Sequence, residues 1–347
     1  MINVWARTLP ELEDIFKKNG FPRYRAKQLR DYLYKRFIFD FTEMKQLPKG
    51  LREWLMNHAM VSKPQIIKEQ KSDDKDTTKL LLKLEDGTFI ETVCMHHVYG
   101  NSICISTQVG CAMGCVFCAS TQNGLERNLT AGEMLAQIYA FKEVFKQPIH
   151  SLVLMGAGEP LQNYEEVLKF IKLCHDEDLL NISYRNMTLS TCGIVPHIYR
   201  LAEEGIPITL AISLHAPNDT IRNRILPASK MFPIQDLIKA SVYYFEKTGR
   251  RVTFEYILIK GINDSLENAE ELHHLLGKLN AHINLIPVNG TEHIQLYPPS
   301  MNQTFRFQRA LTKYGRNTTV RRQMGEEIQA ACGQLKRRFM QDAKLSH

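Results

Sequence analysis

The sequence predicts an α/β fold: a full or partial barrel of six strand–helix units behind a short helical segment. Three observations predict it. Apolar, strand-like runs recur from residue 101 onward, amphipathic stretches of helical spacing lie between them, and residues 1–60 carry only short helix signals. Near-continuous apolar strands separated by helices imply a buried parallel sheet with right-handed crossovers. In such a sheet function collects in the loops that follow the strands.

The elements can be taken in order. "ELEDIFKKNG" ends in Gly20, a helix stop. "YRAKQLRDYLYKRF" places Ala26, Leu29, Tyr32 and Leu33 at helical spacing, and "PKGLREWLMNHA" reads as a third helix. From residue 64 to 98, "TTKLLLKL", "EDGTF" and "IETVCMHHV" predict a β-hairpin turning at Asp86-Gly87. The barrel strands are then "SICIST", "SLVLMG", "MTLST", "ITLAISLH", "VTFEYILI" and "HINLIPV", with a seventh candidate at "NTTVRR". Helices are expected at "LTAGEMLAQIYAF", where Thr130 and Glu133 have capping-box spacing, and at "EEVLKFIKLCHDEDLL", "IQDLIKASVYYFEKTG", "SLENAEELHHLLGKL" and "TFRFQRALTKYG". The implied division is 1–62 helical, 63–98 hairpin or linker, and 99–347 core.

The chain of 347 residues is 44% hydrophobic, enough for a large core. No apolar run approaches the twenty residues of a membrane span, and the N-terminus lacks a signal-peptide pattern. A cytoplasmic protein is expected, and its eight cysteines then point to metal binding or chemistry rather than a disulfide framework. Net charge is +7, and residues 1–60 hold 12 Lys and Arg against 7 Asp and Glu. Residues 304–347 hold 10 against 3, so both ends are basic and the centre is net acidic. That is an electrostatic footprint for a polyanion such as RNA, or simply a set of solvated helix faces.

After the first barrel strand, "QVGCAMGCVFCAS" sets Cys111, Cys115 and Cys118 in a C-x3-C-x2-C pattern. Three thiols on one loop can converge on a soft metal centre. As ligands of a [4Fe–4S] cluster they leave one iron open to a substrate or cofactor, with Phe117 as a shield. The other use is a structural zinc site with His96 or His97 as fourth ligand, although zinc sites usually draw on two separated cysteine pairs. Near the C-terminus, Cys332 in "EIQAACGQL" sits among small residues, unlike a packed core cysteine.

The C-x3-C-x2-C pattern with its aromatic resembles the radical S-adenosylmethionine (SAM) superfamily. "TQVGCAMGCVFCAS", "GAGEPLQN", "LSTCGIVP", "AISLHAPND", "HINLIPVN" and "EIQAACGQL", in that order, resemble the RlmN/Cfr family of RNA adenine methyltransferases, and its RlmN branch. The resemblance covers essentially the whole chain. It implies a partial (β/α)6, TIM-like barrel of the radical SAM type with a small N-terminal helical, RNA-binding accessory domain. It also implies one [4Fe–4S] cluster on Cys111, Cys115 and Cys118, and two SAM molecules per turnover. Gly158, Glu159, Ser190, Ser213, Leu214, His215 and Asn289 match the family's SAM contacts.

The family's activity is methylation of adenine C2, in a peptidyl-transferase-centre adenosine of 23S rRNA and in the adenosine beside the anticodon of tRNA. Adenine C2 is electron-poor, so polar methyl transfer is unfavourable. A cysteine first takes a methyl from SAM, a SAM-derived radical abstracts hydrogen from it, and the carbon radical adds to the ring. A base then removes the ring proton, and a second thiol resolves the covalent bridge as a disulfide. By the resemblance Cys332 carries the methyl, Cys104 resolves, and Glu91 is the base. A monomer served by an electron donor such as flavodoxin, with no membrane partner, is implied too. Two departures stand near the SAM site: Ala157 where the family commonly has Met, and Cys192 where it commonly has Ser. Cys94, Cys174 and Cys192 read as packing. Pro160 favours the RlmN branch over the Cfr branch, which methylates adenine C8. A non-catalytic Fe–S or zinc RNA-binding module would need neither Cys104 nor Cys332.

Overall fold

The computed structural model describes residues 1–145, 148–288 and 296–321, and residue 328. The chain opens with strand β1 (Ile2–Asn3), helices α1 (Leu9–Lys18), α2 (Arg25–Arg30) and α3 (Lys49–His58), and β2 (Ala59–Met60), which pairs parallel with β1. Thr8 caps α1 through a box with Glu11, and α2 runs on through a wider turn over Asp31–Lys35. Three strands follow, β3 (Gln65–Lys71), β4 (Thr77–Lys83) and β5 (Phe89–His97), then β6 (Gly100–Cys104).

The expected turn at Asp86-Gly87 is present, with Gly87 at φ +84°. Residues 63–98 nevertheless form more than one hairpin. β3, β4, β5 and β6 make an antiparallel meander that joins the main sheet through β6. Turn residues mark hairpins locally, but which sheet a hairpin joins is decided by long-range pairing.

Beyond β6 come β7 (Gln108–Gly110) and β8 (Leu125–Asn128), which bracket the cysteine loop as a small antiparallel pair. The remaining elements are α4 (Ala131–Val144), β9 (Ile149–Leu154), α5 (Tyr164–His175), β10 (Met187–Thr191), α6 (Val195–Glu203), β11 (Thr209–Ser213), α7 (Asp219–Ile225), α8 (Ile234–Thr248), β12 (Val252–Leu258), α9 (Leu266–Leu276), β13 (Ala281–Pro287), α10 (Met301–Lys313) and β14 (Asn317–Val320). Thr130 and Glu133 do form the expected capping box on α4. β6 and β9 to β14 are parallel in chain order, so the sheet of ten strands runs β14-β13-β12-β11-β10-β9-β6-β5-β4-β3. Among the described residues β14 and β3 are its edges, and the barrel they form is partial.

One expectation needs correcting. The parallel strands are not apolar on both sides. Ile103, Leu152, Leu189, Leu210, Phe254 and Ile283 point to the helical layer and are at most 1% exposed. Residues one position away lie on the opposite face: Cys104 beside Val153, Val153 beside Thr188, Ser190 beside Ala211, Ser213 beside Glu255, and Glu255 beside Asn284. Side chains alternate across a strand, and in a partial barrel the concave side is not filled by a second core. That face can therefore carry small and polar side chains.

The N-terminal segment is not a loose appendage. Trp5 donates its indole N–H to the Gly132 carbonyl at 2.9 Å, and its ring packs on Tyr34 and Tyr139. The buried Arg30 pairs with Asp176 at the end of α5. One continuous apolar core runs from Val4 to Leu311.

Candidate active site

The cysteine loop is fixed at its base by β7 and β8. Gly110 has φ +75°, and a Cβ there would lie 2.0 Å from the Gly124 carbonyl oxygen. Only glycine lets the two backbones meet, and the Cys111 N–H then donates to that carbonyl at 3.0 Å. Farther along, the Cys118 N–H donates to the Cys115 carbonyl at 3.1 Å, and the Thr121 hydroxyl caps the Cys118 carbonyl at 2.9 Å. α7 and its following turn hold the other side: Val116 N–H donates to Ile225 O, and Ala228 N–H to Met113 O. Phe117 meets the His215 ring edge-on at 5.0 Å and packs among Ala216, Ile225 and Ile257.

Burial pushes the Cys111 thiol up to about 11 and the Cys115 thiol well above its ordinary value; the charges of neighbouring cysteines and Glu159 push the same way. Three thiols that repel one another as anions, and form no disulfide, are a donor set that a cationic centre would satisfy. Yet among the described residues no three His, Cys, Asp or Glu side chains come close enough to share one metal ion. A cluster of several irons spreads its ligands wider than one ion does, so these cysteines suit it better than zinc. The zinc alternative also loses its fourth ligand. His96 is engaged with Asn101 at 2.8 Å inside the sheet, and His97 is stacked on Tyr99 at the β5–β6 turn.

The glycine loop after β9 lies against the chain leaving β6. A Cβ on Gly156 would sit 2.6 Å from the Ser106 nitrogen, and one on Gly158, at φ +108°, 2.6 Å from the Gln108 Cβ. Ala157 is bound on both sides: its N–H donates to the Ser106 hydroxyl, and its carbonyl accepts from Thr107 N–H at 2.8 Å. This contact uses backbone and leaves the Ala157 methyl outside it. Glu159 is 3% exposed, and burial raises its pKa. Its two oxygens accept the Leu161 N–H at 2.9 Å and the Cys192 N–H at 2.7 Å. The Thr191 and Cys192 side chains bond the same carboxylate. Cys192 itself is buried with its sulfur 3.2 Å from the Met113 sulfur, a packing position as expected.

Ser190 and Ser213 stand at the ends of β10 and β11 on the concave face. Leu214 is fully buried, and its carbonyl accepts from Arg222 Nε at 3.1 Å. His215, at φ +62°, accepts the Ile257 N–H on Nδ1, and burial lowers its pKa to about 3. It is therefore a neutral ring with its remaining proton on Nε2. The candidate SAM residues Gly158, Glu159, Ser190, Ser213, Leu214 and His215 thus collect at one end of the sheet, together with the cysteine loop. Asn289 and Cys332 lie outside the described residues.

Cys104 closes β6, directly opposite Val93 of β5, and Glu91 lies two residues from Val93 on the same face. The Cys104 thiol is pushed up to about 11 by burial, against a smaller pull from the Arg321 guanidinium and the Met155 backbone. Glu91 is 7% exposed, and Lys79 Nζ stands 3.9 Å from its Oε1.

Residues 2–61 match the family model for a ribosomal RNA large subunit methyltransferase N-terminal domain, and residues 105–275 match that of the radical SAM superfamily. A probable dual-specificity RNA methyltransferase RlmN of Clostridium novyi is 46% identical over 99% of this chain and all of that protein. The chain belongs to the RlmN family. A relative of the same description from Symbiobacterium thermophilum is 49% identical over 95% of this chain and 90% of that protein. The crystal structure of a radical SAM methyltransferase from Sphaerobacter thermophilus superposes with a TM-score of 0.91 at 44% identity, covering 96% of this chain and 99% of that one. The α/β fold and the RlmN resemblance are thereby established, and all three loop cysteines fall inside the matched radical SAM segment.

Several residues at the site went unmarked in the sequence. Lys79 and Glu255 look like ordinary solvent-facing charges on strands, yet they are 1% and 6% exposed. Strand register, which sequence carries only weakly, turns them inward. Arg222 gave no signal at all, because a basic residue on a short helix reads as a solvated face.

Proposed function

We propose that the protein methylates C2 of adenine in 23S rRNA and tRNA, by transfer through an S-methylcysteine and a transient disulfide. The observation that supports this reading best is the placement of Glu91 and Cys104. A carboxylate and a thiol stand on one concave sheet face, on adjacent strands, beside the strand ends that carry the SAM candidates.

Cys111, Cys115 and Cys118 would hold the [4Fe–4S] cluster, which when bound supplies the electron that cleaves SAM to a 5′-deoxyadenosyl radical. The chain's own residues do the rest. Glu159, fixed by two backbone N–H groups, would present its carboxylate to the SAM ammonium. The Cys332 thiolate takes a methyl, forming an S–C bond while S-adenosylhomocysteine leaves. After hydrogen is abstracted from that methyl and the carbon joins the ring, Glu91 would take the C2 proton while the adduct's unpaired electron would pass back to the oxidised cluster, restoring the aromatic ring. The Cys104 thiolate then attacks the Cys332 sulfur, the electron pair of the sulfur–carbon bond goes to the product carbon, which takes the proton held by Glu91 to become the methyl group, and the two sulfurs are left as a disulfide. Thiol reductants of the cytoplasm return them to thiols. A neutral His215 keeps a second acid out of the site, and Phe117 shields the loop.

The basic N-terminal segment would meet the RNA backbone, since phosphate contacts dominate such affinities. The test is methylation of rRNA and tRNA fragments by anaerobically reconstituted protein, with mass analysis of the digested RNA. 2-Methyladenosine supports the reading, 8-methyladenosine would transfer it to the Cfr-type reaction, and no methylated product would refute both.

A further inference from the structure

α7 is only seven residues long, yet it holds both halves of the site. Its last carbonyl, Ile225 O, accepts the Val116 N–H at 3.1 Å, and the next turn returns Ala228 N–H to Met113 O at 3.3 Å. The cysteine loop is thus bound to this helix at two points. On the same helix Arg222 turns inward and is 1% exposed. Its Nε donates to Leu214 O at 3.1 Å, and one terminal nitrogen donates to Cys192 O at 2.5 Å and Ser213 O at 3.3 Å. One guanidinium therefore spans the ends of β10 and β11 and ties them to the helix that carries the loop.

A buried guanidinium is costly unless its charge is answered. Three carbonyls give it hydrogen bonds but no opposite charge. Among the described residues no carboxylate forms an ion pair with it. Asp219 contributes an acidic influence while its Oδ1 accepts the Ile234 N–H. The other groups whose negative charge would reach it are the Cys192 and Cys115 sulfurs. Cys115 is one of the three loop thiols, and Cys192 sets its sulfur 3.2 Å from that of Met113 in the same loop. Among the described residues, and besides Asp219, the cysteine loop is thus the neighbour whose charge, with a cluster bound, would face this cation.

We infer that Arg222 is the fixed countercharge of the iron–sulfur cluster, setting how readily it accepts an electron, and that its forked hydrogen bonds hold the β10 and β11 ends in place for SAM. The inference rests on the reading of Cys111, Cys115 and Cys118 as cluster ligands. A cluster on three thiolates is net anionic, and reduction makes it more so. Charge and hydrogen bonding near a cluster set its potential, and a fixed cation favours the reduced state. Arg222 touches no reacting atom, so it is a positioning residue.

The experiment uses full-length, anaerobically reconstituted protein. Iron content and the midpoint potential of the cluster, followed by electron paramagnetic resonance, are compared in wild type, Arg222→Lys and Arg222→Gln. Lysine keeps the charge without the fork, and glutamine keeps donors without the charge. The expected result is a wild-type-like potential for lysine and a negative shift for glutamine, about tenfold in the reduction equilibrium, or ~59 mV for one electron. Loss of the cluster from the glutamine variant alone, with lysine unshifted, supports the same conclusion. An unshifted glutamine variant, equal shifts in both variants, or loss of the cluster from both would overturn the countercharge role. SAM affinity, measured by equilibrium dialysis, should fall in both variants; unchanged affinity in both would overturn the strand-end role. If wild-type protein takes up no cluster, it is the reading of the three cysteines that fails, a result distinct from any of these.

Discussion

Lys79 Nζ stands 3.9 Å from Glu91 Oε1, and the two side chains are 1% and 7% exposed. In water such a pair is nearly worthless, but inside the sheet the attraction is less screened. Removing one partner of a buried pair leaves the other charge with less compensation and destabilises the fold. Lys79→Met should therefore lower the thermal midpoint markedly, and Lys79→Met combined with Glu91→Gln should recover part of the loss. A double variant as unstable as the sum of the singles would show that the pair is not coupled.

Glu91→Gln alone should leave cluster uptake and methyl loading intact and stop the reaction after the carbon has joined the ring. A protein–RNA adduct on a denaturing gel is the measurement, and free methylated RNA at the wild-type rate would exclude Glu91 as the base.

The two thiols should fail differently. Cys332→Ala removes the carrier, so neither adduct nor product forms. Cys104→Ala leaves the carrier but no resolving thiol, so the adduct accumulates. Gel analysis separates the cases, and two identical outcomes would mean that the thiols are not consecutive partners.

The pH behaviour of Cys104 follows from its raised pKa. The folded state holds the thiol proton up to about 11, whereas an unfolded chain releases it near about 8.5. The stabilising contribution is therefore complete below the unfolded value and is lost as pH rises from there to about 11. Alkylation of Cys104 by iodoacetamide, read by peptide mass analysis, should be slow at neutral pH and rise only toward pH 11. A midpoint at the ordinary thiol value would contradict the raised pKa.

Glycines at the site leave little room for change. Gly110→Ala would drive a Cβ to 2.0 Å from backbone oxygen, so iron uptake after reconstitution should collapse. Gly158→Ala would meet the Gln108 Cβ at 2.6 Å and its backbone nitrogen at 2.8 Å, with φ +108°. The loop must shift to make room, so SAM binding should weaken by about tenfold or more while iron content is retained.

Much of this was legible in the sequence, and for identifiable reasons. Thr130 and Glu133 announced α4 because a capping box is a local arrangement that needs no tertiary partner. The cysteine loop could be placed because its three residues are neighbours in the chain. What could not be read depends on pairing between distant strands. The period of "MTLST" and "HINLIPV" identifies strands, but only their register shows that Ser190, Ser213, Glu255 and Asn284 share one face of the sheet. β7 and β8 were missed because three- and four-residue strands carry almost no pattern of their own. α7 was missed for the same reason, and with it the inward turn of Arg222.

The uninterrupted ladder from β3 to β14 has a mechanical consequence. Glu91, Cys104 and the strand ends at Ser190 and Ser213 belong to one hydrogen-bonded lattice. Strands in such a lattice cannot hinge apart without breaking it, so these groups keep fixed separations through a catalytic cycle. On the proposed reaction, the partner that must deform is the RNA. An adenine inside a stack presents C2 to its neighbours rather than to a concave protein face, so on that reaction the base would have to be swung out, at the usual cost of a few kcal/mol. The protein behaves as a jig, and the choice of nucleotide becomes a question of which adenosines yield most easily to it.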